Sequence, residues 1–232
     1  MKTTPHPCGQ RGMTLLEVVV VLLLFAIGVT LLLPALTPRR NPRTAARIKC
    51  ANNLKQIGLA YRVFANDHDD KFPFLVTNSL AFGNVSQAWL HFQAMSNEMG
   101  SARILICYSD RERLNNIMTD FGMGTMARAY SLSTKSNSAV SYFASLDADQ
   151  TLPNTLLSGD RHLLTNSFNV DGRLLLASSN LTAASWTPRQ HNGAGNYALS
   201  DGSVQQAPSS ALATQVRLQG IATNRLLLPL LP

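Results

Sequence analysis

Glu17 is the first residue of this 232-residue chain that asks for a chemical explanation, because it is the only charged residue in the run 13–36, MTLLEVVVVLLLFAIGVTLLLPAL. A carboxylate placed inside an apolar membrane segment costs roughly 2.5 to 3.5 kcal/mol, so it needs a partner or a place near the helix start where the dipole favours it. Cys8, Cys50 and Cys107 form no CxxC pair and no Cys/His cluster at zinc spacing, which argues against structural zinc. Asp67, Asp69 and Asp70 in the stretch 66–73 could ligate calcium, but they lack the spacing and the glycine of an EF-hand loop, and a solvated turn is expected. Nine residues separate His191 from Asp201-Gly202. A metal site or a His–carboxylate pair there lacks a third ligand, so the favoured reading is structural: His191 caps the turn at Asn192-Gly193 and Asp201 sets a second turn. No serine-based motif, HExxH or phosphate loop occurs, and Gly122 and Gly124 lack the third glycine of a dinucleotide fingerprint. No enzymatic activity is expected.

The elements that must position these residues follow from periodicity. Residues 13–36 as a helix would extend ~36 Å, enough to cross a hydrocarbon core of ~30 Å. The preceding MKTTPHPCGQRG is polar, carries Lys2 and Arg11, and ends in Gly12 directly before the apolar run. A secretory signal is cut after its apolar region, not before it, and a cut near Leu33-Pro34-Ala35 is the rival reading. Gly28 and Pro34 interrupt the apolar run, and proline removes one helical hydrogen bond, so a kink is expected. From Arg43 to Asn66 the helical period returns, with Ile48, Ala51, Leu54, Ile57, Tyr61 and Phe64 on one face, Cys50 at its edge, and Lys49, Asn52, Asn53, Lys55 and Arg62 opposite. Residues 104–107, short, apolar and partly β-branched, read as a buried strand. Asp171-Gly172 and Asp201-Gly202 predict two hairpins with type I′ turns, joining 167–170 to 173–177 and 196–200 to 203–206. A short helix is predicted from Ser209 or Ser210 to Ile221, and residues 226–232 read as an apolar strap, too short and proline-broken to span a bilayer.

Formal net charge is +7, but the dense basic stretch is Arg39, Arg40, Arg43, Arg47 and Lys49, just past the apolar run, where anionic lipid head groups would be close. No basic run interleaved with aromatics is present to stack bases, so membrane lipid rather than nucleic acid is the expected partner. These five charges outnumber the two in the leader, against the positive-inside tendency.

Gly12 followed by Met13-Thr14-Leu15-Leu16-Glu17 and an unbroken apolar continuation resembles the prepilin motif of type IV pilins and pseudopilins. The stretch 50–73, the Ile104-Leu105-Ile106-Cys107-Tyr108-Ser109-Asp110 segment, residues 141–161 and the His191/Asp201-Gly202 spacing resemble a pilin-like subgroup of planctomycetes and verrucomicrobia labelled type II secretion G-like. Ala194 stands where that subgroup often has the second glycine of a pair. The resemblance implies a prepilin peptidase that cuts between Gly12 and Met13 and methylates the Met13 amine, and Glu17 paired with the N-terminus of a neighbouring subunit. It also implies other pilin-like subunits and an inner-membrane assembly platform as partners, and a single-pass inner-membrane protein with its C-terminal part in the periplasm. In an oxidising compartment Cys50 and Cys107 become a candidate disulfide, with two buried thiols as the alternative.

The expected fold is α+β and pilin-like: a long N-terminal helix, membrane-embedded in its first half and packed in its second half on an antiparallel sheet. Its parts are a leader (1–12), a transmembrane and assembly helix (13–36), an amphipathic continuation (37–66) and a globular domain (67–232) containing the element at 191–202. The expected function is a filament subunit with no cofactor, calcium apart; the alternative is a membrane-tethered binding module that uses the pilin signal only for export.

Overall fold

The computed structural model describes residues 12–36, 41–76, 87–122, 130–164, 173–177 and 184–230. The chain divides into two compact units, Met1–Asn41 and Pro42–Pro232. In the first, α1 (Leu15–Leu36) begins where Thr14 Oγ1 accepts the Glu17 backbone N–H at 3.3 Å, which satisfies one of the orphan donors of a helix start. The helix continues through Gly28 and Pro34 to Leu36. Nothing in Leu15–Leu32 is buried.

The second unit opens with α2 (Pro42–Asn66), and Pro42 at the first helical position is where a missing N–H costs nothing. The single long helix expected from the sequence is thus two elements, with Asn41 outside both and 37–40 outside the described residues. Cys50, Leu54, Ile57, Tyr61 and Phe64 are buried at steps of three and four. Ile48, expected on this face, is 51% exposed, whereas Asn53, expected opposite, is buried. Counting back from Leu54 at 3.6 residues per turn lands on Cys50 and Arg47, and the three-residue steps from Ile48 had drifted off that line.

Among the described residues eight strands follow: β1 (Tyr142–Ser145), β2 (Leu156–Asp160), β3 (Leu163–Leu164), β4 (Arg173–Ala177), β5 (Ser185–Trp186), β6 (Ala194–Leu199), β7 (Val204–Pro208) and β8 (Thr223–Leu227). Six of them form one antiparallel sheet in the order β4-β8-β1-β2-β6-β7, and β3 pairs with β5 in a small ribbon. The helices beside them are α3 (Ala88–Ala94), α4 (Leu132–Lys135), α5 (Pro188–His191) and α6 (Ser209–Leu218). Alternation splits the sheet between two cores: Tyr142, Ala144, Leu157 and Leu227 join the α2 core, while Phe143, Leu156 and Leu226 join Leu212 and Val216 of α6. This is the α+β layout anticipated above.

Local readings fared less evenly. Residues Ala102–Leu105 form a 3₁₀ turn, capped by Ser101 Oγ accepting the Arg103 N–H, and only Ile106 and Cys107 run on beyond it. They are buried as expected but are not a strand, because the serine cap starts a helical turn and the Leu105 carbonyl is taken singly, by the Ser141 N–H at 2.8 Å. The β6–β7 hairpin exists, yet Gly202 alone has positive φ, at +84°, and Gly202 N–H donates to Leu199 O. A type I′ turn needs positive φ at both central residues, so this is a tight turn followed by a left-handed glycine that re-registers the strands. Of the other predicted hairpin, 167–172 lies outside the described residues, and 173–177 is β4, paired with β8. The apolar tail is not a strap: Leu226 and Leu227 belong to β8, inside the sheet, and Pro229 O receives the Arg113 guanidinium.

Cys50 on α2 and Cys107 are joined as a disulfide across 57 residues of chain. Beside it, Asn53 Nδ2 donates to Ile106 O at 3.1 Å and the Tyr142 hydroxyl to Cys50 O at 3.4 Å. In the chain-entropy account a loop of this length is worth about 4 kcal/mol. Protein lacking residues 1–12 should therefore show no free thiol when denatured without reductant, and a Cys50→Ser/Cys107→Ser variant should unfold at lower denaturant, by about 4 kcal/mol; two titratable thiols would remove the bridge.

Candidate functional site

Three groupings carry chemistry. In the N-terminal unit, Gly12 and Met13 are exposed and precede α1, open to a processing enzyme. Glu17 lies in the first turn of α1, and its carboxylate has no hydrogen bond or ion pair among the described residues. Around it are exposed valines and leucines, an arrangement suited to a bilayer. Gly28 and Pro34 both lie within α1.

The second grouping is buried under β6. Thr187 Oγ1 accepts the Arg189 N–H to start α5, and Asn192 in the left-handed region (φ 57°, ψ 55°) with Gly193 (φ +77°) stops it after one turn. This stop throws the last side chain, His191, inward rather than over the turn. Its Nε2 lies 3.1 Å from Asn196 Nδ2, 3.3 Å from Asp160 Oδ2 and 3.5 Å from Cys107 Sγ. Asp160 also accepts from the Asn196 backbone at 2.7 Å, the Asn196 side chain at 2.9 Å and Gln190 Nε2 at 3.1 Å. Gly195 makes room for the indole of Trp186, since a Cβ there would sit 2.4 Å from the ring. Burial raises Asp160 to about 7 against the pull of the Asn196 donors. Burial, then the charges of Arg47 and His162, lower His191 to about 4. Near neutral pH the imidazole is thus uncharged.

The disfavoured alternative, a His191–Asp201 pair, does not form, and Asp201 sits in the second turn as the structural reading expects. His191 precedes the six residues of β6 and Asp201 follows them, a separation of roughly 20 Å along a strand. Asp201 Oδ1 instead accepts the Ser203 N–H at 2.8 Å, and its carbonyl receives Arg62 of α2. The carboxylate that meets His191 is Asp160, at the end of β2, which nothing in the local spacing singled out.

The third grouping is ionic. Asp110, buried, is held by Arg161 Nε at 2.7 Å and Nη2 at 3.0 Å, with His162 Nε2 at 3.6 Å. Burial would raise this carboxyl, but hydrogen bonds from His162 and Arg161 outweigh it and hold it well below the usual carboxylate range. Glu112 bridges Arg161 and Arg189, at 2.5 and 3.3 Å. Arg113 donates to Asn137 O at 2.6 Å, and burial followed by repulsion from Arg161 lowers it to about 9.

Two sets of metal-type donors converge within 4.8 Å among the described residues, Cys50/Cys107/His191 and Asp110/Glu112/His162. The first has its sulfurs bonded to each other, and the second is already neutralised by Arg161. Asp67, Asp69 and Asp70, the calcium candidates, do not converge in this way; Asp69 and Asp70 take positive φ in the turn that ends α2.

With this geometry in hand, comparison with known proteins places one segment. A family described as the prokaryotic N-terminal methylation motif matches residues 8–33. No curated protein and no solved structure matches the chain. The N-terminus therefore carries a type IV pilin-type prepilin signal, which implies a prepilin peptidase and pilin-type neighbours, and α1 fits a single-pass membrane anchor.

Two predictions test the buried networks. Arg161→Gln leaves Asp110 without its bidentate partner and should cost roughly 3 kcal/mol in chemical denaturation. A histidine whose folded pKa is depressed contributes stability above its unfolded pKa of about 6.5 and loses it as pH falls through about 4. The stability margin of the wild type over His191→Gln should accordingly be widest above pH ~6.5 and shrink towards pH ~4; a margin flat with pH would contradict the neutral buried imidazole.

Proposed function

We propose that this chain is a structural subunit of a type IV pilus-like filament or a type II secretion-like pseudopilus, with no catalytic activity of its own. The observation that carries the reading is the methylation motif at 8–33 followed by an unburied apolar helix whose one carboxylate, Glu17, has no partner among the described residues. In this reading a prepilin peptidase cuts between Gly12 and Met13 and methylates the new amine. The single-pass protein waits in the inner membrane with its C-terminal unit in the periplasm. An assembly platform then lifts subunits out of the bilayer, and α1 helices bundle so that each Glu17 meets the Met13 ammonium of a neighbour. A carboxylate and an ammonium brought together in an apolar bundle cancel the desolvation cost that each carries alone, which makes the pairing a register device as well as a contact. The C-terminal unit, cross-linked by Cys50–Cys107, suits an oxidising compartment.

Sequencing of the mature N-terminus should begin at N-methylated Met13, and a start near Leu36 would point to an ordinary secretory signal. Glu17→Ala should leave cleavage intact while abolishing filaments in electron micrographs. Filaments at wild-type abundance in that variant would defeat the pairing, and a wild type that is processed yet never polymerises would favour a tethered binding module.

A further inference from the structure

A cleft of about 760 Å³ opens between the start of α2, the loop after Cys107, and α5. Arg43 and Arg47 come from α2, Tyr108 and Arg111 from the loop, Arg189 from α5, and His191 is among the lining residues. Four arginines thus line one space, and no acidic residue is among its lining residues. The nearby Glu112 is engaged by both Arg161 and Arg189. Arg47 Nε is buried without a hydrogen-bond partner among the described residues, and the Arg111 side chain has neither hydrogen bond nor ion pair among them. Lys49 Nζ, 3.5 Å over the Tyr108 ring, adds a further cation beside the cleft.

Gathering like charges raises the energy of the empty cleft, by about 1 kcal/mol for each close pair even in water, and an anion removes that cost. Guanidinium forks match tetrahedral oxyanions in particular, because each presents parallel N–H donors to two oxygens. The His191 imidazole, neutral near pH 7, adds no charge to that repulsion.

We propose that this cleft is a binding site for a phosphoryl-bearing anion, either the phosphate of an anionic lipid headgroup or free phosphate. The lipid source has the chain's covalent geometry behind it, since Arg43 follows Leu36, the last residue of α1, by seven residues, at most ~25 Å of extended backbone. The site is distinct from filament assembly: Arg111 and Arg189 lie far along the sequence from the apolar helix and are brought to Arg43 only by the fold.

The test uses the full-length protein in non-ionic detergent. Phosphatidylglycerol or phosphatidylcholine doped into the micelles is counted on the protein by native mass spectrometry, and inorganic phosphate binding is followed by calorimetry. Phosphatidylglycerol or phosphate, or both, should bind, and Arg111→Glu/Arg189→Glu should weaken that binding about tenfold or more. A control with the same charge change on exposed arginines elsewhere, Arg103→Glu/Arg217→Glu, should alter it less than about twofold. Phosphatidylglycerol that stays bound against millimolar phosphate assigns the headgroup; displacement assigns free phosphate. Arg111→Gln, at a side chain without described contacts, keeps the test valid if the double variant unfolds, and should also weaken binding. Equal losses in both double variants, binding of neither probe, an unaffected Arg111→Gln, or tighter binding of a single-stranded oligonucleotide than of either probe would overturn the proposal.

Discussion

The globular unit depends on one surface, the face of α2 that carries Cys50, Leu54, Ile57, Tyr61 and Phe64. These side chains are buried to within a few per cent, and they cover one side of a six-stranded sheet whose other side is covered by α6. Each such side chain contributes about 1.5 to 3 kcal/mol of burial, so the face as a whole outweighs any single polar contact described here. The polar contacts do something else: they fix where on α2 the rest docks. Asn53 holds the Ile106 carbonyl, Cys50 is bonded to Cys107, and Arg62 holds the β6–β7 turn through the Asp201 carbonyl. Hydrophobic burial is non-directional, and these three ties supply the register it lacks.

That fixed register is why elements distant in sequence meet. The loop carrying Cys107 is pinned to α2, and Asp110, three residues on, then meets Arg161 just after β2. Asp160, next to it, points the other way, towards His191 and Asn196. Two adjacent residues on one strand end thereby serve two separate networks, as the alternation of side chains along extended backbone requires.

The helical faces, the Asp201-Gly202 hairpin and the antiparallel sheet were legible because each leaves a local signature: a period of 3.6, an Asp-Gly pair, or a period of 2. Within α2 the period located Leu54 through Phe64 and misplaced Ile48, where the count had drifted by a residue, and Asn53, which is buried where a polar face was expected. What could not be read was pairing across the fold. The one carboxylate weighed as a partner for His191 was Asp201, in the same short motif, yet the carboxylate beside it comes from β2, some thirty residues earlier, on the neighbouring strand of the sheet. Likewise Arg47 belonged to a basic stretch beside the membrane helix and Arg111 and Arg189 to scattered charges far along the chain, and only the fold makes all three line one space. The strand expected at 104–107 failed for a local reason: composition marked it as buried, but Ser101, just outside the apolar run, decided its conformation.

The position of β8 has a bearing on how the molecule is made. Among the described residues it comes last of the strands, yet it lies between β4 and β1 and hydrogen-bonds to both. Until those residues leave the ribosome, β1 and β4 have no partner on their inner edges, so the sheet cannot close progressively from the N-terminus. Two strand edges must be kept from pairing elsewhere until Thr223–Leu227 has been made. Loss of Thr223–Leu227 would remove a central member of the sheet rather than trim its edge.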